Sequence, residues 1–124
     1  MHTPENQTTF TIFILLKTLP AWLALPRQRR NDIAEAALSQ AIAGRQLQPR
    51  LYDAEGFSAI CTDLLVFETQ NLRDYYFAME TLRDSPLLHV PYFDIVSIVP
   101  SIQNGFRQYE QQLAAHEQIN EAAC

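Results

Sequence analysis

From Phe10 to Leu16 the chain reads Phe-Thr-Ile-Phe-Ile-Leu-Leu, so a strand built from it is apolar on both faces whichever way it is turned. A half-solvated strand alternates apolar with polar residues, whereas this one asks for cover on two sides. Lys17 and Thr18 close the run, and Leu19-Pro20 stops it. The segment Tyr92 to Val99 repeats the pattern, with Phe93, Ile95 and Val99 on one side and Tyr92, Val96 and Ile98 on the other. It is expected to end at Pro100.

The segments between these two strands supply the rest of a small fold. Met1 to Gln7 reads as a polar leader and Thr8 to Thr18 as the first strand. After a loop carrying Trp22, Pro26 suits a first helical turn, where its missing N–H costs nothing. Ile33, Ala37, Leu38, Ala41 and Ile42 then form a helical stripe that Gly44 terminates. Leu47 to Glu55 and Ala59 to Glu68 read as a hairpin about Gly56, with its register open. Asn71 is a good N-cap, with Asp74 three residues on, for a second helix bearing Leu72, Tyr75, Tyr76, Met79 and Leu82; it must stop before Pro86. Phe106, Tyr109 and Leu113 mark a weaker third helix, and Glu117 to Cys124 a fraying tail.

The order βαββαβ with an extra C-terminal helix predicts an α+β ferredoxin-like sandwich: two helices on one face of a four-stranded antiparallel sheet, in a single domain over residues 8–116. The other face is too apolar to stay wet on a monomer. An identical sheet across a two-fold axis is the favoured cover, giving a homodimeric α+β barrel; the rival is the chain's own C-terminal helix, which has few large apolar residues.

Composition narrows the function classes. With 124 residues, 48% hydrophobic and 19% charged, the chain can build one core without disulfide or metal. A net charge of −5 with one lysine, Lys17, argues against a nucleic-acid partner. No stretch approaches the length of a membrane span, and Lys17, Pro20 and Glu5 spoil a signal-peptide reading, so a cytoplasmic protein with free Cys61 and Cys124 is expected. Gly-rich phosphate loops, His-Glu-x-x-His and Cys-x-x-Cys are all absent, and His2, His89 and His116 are scattered. No metal and no cofactor is expected.

Polar residues inside strands are the candidates for chemistry. Ile60, Thr62, Leu64 and Val66 share one face, suited to packing on helices, while Cys61 and Asp63 share the other with Leu65 and Phe67; that second face is assigned to the barrel interior. Asp53 and Glu55 share a face on the neighbouring strand. Carboxylates crowded under a low-dielectric wall raise one another's pKa, which makes an acid or base that works near neutrality. Lys17, in phase with Phe13 and Leu15, serves as counter-charge or anion anchor on this reading, Trp22 as a roof over a pocket, and Tyr92 as a further lining residue. Structural roles compete at each position. Asp53 and Glu55 suit turn amides, Asp63 suits a pair with Lys17 or Arg50, Cys61 suits a buried filler, and Trp22 suits a core cap.

The sequence also resembles a known family. The residues that carry the likeness are Phe13-Ile14-Leu15-Leu16-Lys17-Thr18, Pro20-Ala21-Trp22-Leu23-Ala24-Leu25 and Leu51-Tyr52-Asp53-Ala54-Glu55-Gly56-Phe57-Ser58-Ala59, followed by Cys61-Thr62-Asp63, Val66-Phe67-Glu68-Thr69, Tyr75-Tyr76-Phe77, Leu82-Arg83-Asp84, Pro91-Tyr92-Phe93 and Gly105-Phe106-Arg107. On these it resembles the darcynin family of small bacterial proteins, which has no established activity; Gly44 to Arg50 departs from the pattern. The resemblance implies a sandwich related to dimeric α+β-barrel proteins, a group of cofactor-independent monooxygenases, small lyases and isomerases, and haem-binding relatives. From that analogy comes the expectation of a cofactor-independent small-molecule enzyme, with Asp63 as acid or base, Asp53 or Lys17 orienting it, and Trp22, Cys61, Glu55 and Tyr92 about the substrate. A non-catalytic binding or interaction domain with a filled barrel is the alternative.

Overall fold

The computed structural model describes residues 8–123, so the leader Met1 to Gln7 and Cys124 lie outside the described residues. The elements are β1 (Phe10–Thr18), α1 (Pro20–Leu23), α2 (Arg27–Ile42), β2 (Gln48–Asp53), β3 (Asp63–Thr69), α3 (Leu72–Asp84), α4 (Pro86–His89), β4 (Phe93–Ile102) and α5 (Gly105–Ala123). All strand pairs are antiparallel in the order β2-β3-β1-β4, the α+β ferredoxin-like arrangement. No helix of the described residues is long and apolar enough to cross a membrane.

Local chemistry explains most boundaries. Pro26 caps α2 just ahead of its first turn, and Gly44 follows its end in the left-handed region at φ 69°. Asn71 caps α3 by accepting a hydrogen bond from the Asp74 amide at 3.2 Å. Pro86 both ends the run of α3 and opens α4. Two expectations shift. The β2–β3 hairpin is open from Ala54 to Thr62, so Cys61 sits in the connection and not in a strand. β4 runs through Pro100 to Ile102, because it is an edge strand where a missing N–H leaves no ladder bond unmade.

The core lies between the sheet and α2 and α3. Ile12, Ile14, Leu65 and Phe67 meet Ala37, Ala41, Ala78 and Leu82 there, with Ile12 and Phe67 fully buried. Small alanines on both helices let them approach the sheet closely, while the strands supply the volume. This reverses the face assignment for β3: Leu65 and Phe67, and Asp63 in phase with them, look toward the helices, and Leu64 and Val66 look the other way. Cross-strand partners share a face, so Ile12 opposite Phe67 and Ile14 opposite Leu65 fix the choice. In β4 a bulge slips the register between Leu15 and Leu16, so that Ser97 faces Leu15 but Ile95 faces Leu16. The extra residue turns Val99 away from Phe93 and Ile95, onto the side of Phe13.

Among the described residues the second sheet face is covered by no helix, although Val66 on it is buried by its neighbours in the sheet. It carries Phe13, Leu15, Leu64, Val66, Tyr52 and Val99, rimmed by Lys17 opposite Asp94 at one end and by the Arg50–Glu68 ion pair, 3.4 Å, toward the other. α5 does not fold back over it. From Phe106 to Glu121 every side chain of α5 is exposed, Phe106, Tyr109 and Leu113 included. The region expected to fray from Glu117 is helical through Ala123.

Candidate functional site

On the helix-covered side, beside the core, lies a cavity of about 250 Å³. Its floor is Ile14, Leu16 and Ile95 of the sheet, and its roof includes Leu38, Met79 and Leu88 of the helices. Trp22 and Phe93 wall one end. Leu51, Asp53, Asp63 and Asn31 also line it and reach solvent, so they form the mouth. The lining is aliphatic and aromatic except for those three polar side chains.

Each mouth residue is placed by backbone geometry. Asp53 and Asp63 are direct cross-strand partners at the open end of the β2–β3 ladder, and Leu16 is the partner of Asp63 on β1. Two like charges directly opposite destabilise a ladder, so this pair is costly as structure. The connection beyond it is pinned by Ala54 N–H to Thr62 carbonyl, 2.8 Å, and by Thr62 N–H to Leu16 carbonyl, 2.8 Å. The Thr62 hydroxyl accepts from Thr18 N–H at 2.9 Å and reaches Asp63 Oδ2 at 2.7 Å. Thr62 thus orients the Asp63 carboxyl.

Burial pushes the Asp63 carboxyl above the usual aspartate range; the Thr62 hydroxyl pulls it partly back, and the like charges of Asp53 and Glu55 push it up further. A carboxyl so placed exchanges a proton closer to neutrality than a solvated one does.

Trp22 combines the two roles weighed for it. It is buried, with its ring centroid 5.0 Å from Phe93 and 5.3 Å from Tyr92, and it also walls the cavity. Arg30 fixes the turn that carries it, donating to the Leu23 and Leu25 carbonyls at 2.9 and 3.0 Å.

The structure therefore brings Asp53, Asp63 and Trp22 together and separates the others. Lys17 is on the opposite sheet face from Asp63, one residue out of phase with Leu16, and cannot orient it. Arg50 is also on that face and pairs with Glu68, not with Asp63. Tyr92 stands behind Trp22 and supports it from outside the cavity, while Asp94 sits opposite Lys17 on the open face. Cys61 is a buried free thiol outside the cavity lining. Glu55 is exposed in the turn and acts on Asp63 only through its charge. Among the described residues neither Asp53 nor Glu55 accepts a turn amide. Sequence reasoning missed Asn31 and Thr62. Asn31 shares an i, i+3, i+7 stripe with Ala34 and Leu38, which was signal enough to find it.

Among solved structures, the chain is similar to the chlorite dismutase from Candidatus Nitrospira defluvii in complex with imidazole, at 18% identity and a TM-score of 0.67, over 86% of this chain and 45% of that one. An arginine-to-alanine variant of that enzyme matches at 18% identity and 0.67 over 90% and 47%. The chain thus spans less than half the length of these structures, and at such identity the likeness is one of fold. Haem, which the resemblance brings in through haem-binding relatives, does not fit the residues present. His89 is exposed and lines not the cavity but an adjoining surface hollow with Arg83, Pro91 and Asp94. Among the described residues the cavity lining has no histidine or cysteine, and its charged groups are the carboxylates Asp53 and Asp63.

Relatives in sequence agree with one another. The chain is 46% identical over 69 residues to Darcynin of Chromobacterium violaceum, covering 56% of this chain and 87% of that protein. It is 39% identical over 89 residues to Darcynin 1 of Acinetobacter baumannii, covering 71% and 99%. A Darcynin homolog of Streptomyces avermitilis matches at 35% over 108 residues, covering 86% and 88%. The family model for Darcynin, a domain of unknown function, matches residues 1–120, and the chain belongs to that family.

Proposed function

We propose that the cavity between sheet and helices binds a small, largely apolar molecule and that Asp63 exchanges a proton with it, Asp53 holding up its proton affinity and Trp22 keeping water from the far end. The observation that carries this reading is the placement of a half-buried carboxyl, oriented by Thr62 and facing a second carboxylate, at the mouth of a largely apolar cavity. A site of this form needs no cofactor for acid–base chemistry, the reaction type to which its residues are suited.

Stability against pH tests whether Asp63 is held for chemistry or for structure. A folded-state pKa above the unfolded value of about 3.9 means that the native protein holds more protons in the window between the two. Stability from this group is then present below the unfolded pKa and is lost as pH rises through the folded one. Asp63→Asn is expected to be as stable as the parent or more stable at pH 7, and to flatten that part of the pH dependence in denaturant unfolding. A loss of stability at pH 7 would make Asp63 a structural acid and overturn the reading.

The uncovered sheet face supports a second proposal, that two copies pack these faces together. The centre of the face is apolar and its rim carries both signs of charge, Lys17 and Arg50 against Asp94 and Glu68. In an isologous contact the basic rim groups of one copy meet the acidic rim groups of the other. Since α5 leaves the face open within the chain, a second sheet is the cover that matches its shape.

A further inference from the structure

The chemistry of the cavity mouth specifies its ligand more closely than its size does. The charged side chains lining the cavity are both acidic acceptors, Asp53 and Asp63, and Asn31 beside them can turn its amide oxygen to the same point. Among the described residues no lysine, arginine or histidine lines it. Arg83 and His89 line an adjoining surface hollow and not the cavity itself, and three further basic residues point or bond away from it. Lys17 projects from the other sheet face, Arg50 is paired with Glu68, and Arg30 is bonded to two backbone carbonyls. Glu55, in the turn beyond, adds a third negative charge to the surroundings of Asp63.

An anionic ligand entering this mouth meets like charge in a partly desolvated setting, where repulsion is least screened. A neutral one leaves a carboxylate without a partner. A primary ammonium offers three N–H donors to three acceptors, and its charge offsets the acidic pair. Behind the mouth, about 250 Å³ of apolar space exceeds the roughly 150 Å³ of an engineered cavity that takes up benzene.

We propose that the ligand of this cavity is a small organic cation, a protonated primary amine on an apolar body of about the size of one aromatic ring. The proposal rests on the cavity being a binding site at all, and the test separates the two claims.

The probes are benzylammonium, benzyl alcohol and benzoate, titrated into the full chain. Binding is read by the fluorescence of Trp22, the single tryptophan, and located by amide NMR shifts. Benzylammonium is expected to bind about tenfold more tightly than benzyl alcohol, the scale of one charge-assisted hydrogen bond. Benzoate is expected to bind least, with shifts centred on Ile14, Leu38 and Met79. Asp63→Asn should lower the amine-to-alcohol ratio several-fold, and Asp53→Asn with Asp63→Asn should bring it close to one. If benzyl alcohol or benzoate matches the amine at these same residues, the cavity stands and the cationic ligand falls. If none of the three probes shifts them, the cavity reading falls too.

Discussion

Phe67→Ala lowers stability by about 3–5 kcal/mol, the cost of emptying a fully buried aromatic site, and depresses the melting temperature by roughly 10–15 °C for a domain of this size. The expectation follows from position. Phe67 is the partner of Ile12 on β1, and its ring meets Tyr75 of α3 edge-on at 6.2 Å. The alanines Ala37, Ala41 and Ala78 in the same cluster are too short to refill the space, which leaves that to Tyr75 and its larger neighbours. Denaturant unfolding followed by far-UV circular dichroism measures the loss. A cost below about 1 kcal/mol would place Phe67 on the solvent side of the sheet and undo the face assignment on which the site depends.

Val99→Glu has its large effect on mass and not on folding. Val99 is about half exposed in the single chain, opposite Phe13 on the edge strand of the open face, so a carboxylate there is tolerated by the monomer. In a dimer that packs these faces together, the same substitution buries two unpaired charges about the two-fold axis. Light scattering is expected to give twice the chain mass of 14.2 kDa for the parent and 14.2 kDa for the variant, with unchanged circular dichroism. A parent already at 14.2 kDa at micromolar concentration contradicts the paired-sheet reading.

The periodic elements were legible in the sequence. The helical stripe of α2, the Asn71 cap of α3 and the doubly apolar β1 each rest on residues close together in the chain, where propensity, capping and period agree. Which sheet face the helices choose was not legible. On β3 both Leu65-Phe67 and Leu64-Val66 are apolar, so alternation leaves two equal answers, and only pairing with Ile12 and Ile14 breaks the tie. The β4 bulge hides for the same reason: one inserted residue among Ile, Val and Ser changes the phase of all that follow without a glycine to mark it.

The candidate site was half legible. The carboxylates Asp53 and Asp63 stood out as polar residues in apolar strands, and Trp22 as the lone large aromatic after β1. Lys17 does lie in phase with Phe13 and Leu15, but Asp63 was assigned to the wrong one of the two faces of β3, and in a strand that separates the pair. Asn31 was marked by its stripe with Ala34 and Leu38, whereas Thr62 draws its role from β1, far away in sequence, and that distance exists only once the chain is folded.

The central claim is that the site is an acid poised at the mouth of an apolar cavity on the helix-covered side. Carbon-13 NMR titration of the Asp63 carboxyl tests it most directly. A midpoint above the ordinary aspartate value, falling part of the way back in Asp53→Asn, is the predicted result. A midpoint at or below that value, unmoved by Asp53→Asn, would contradict it.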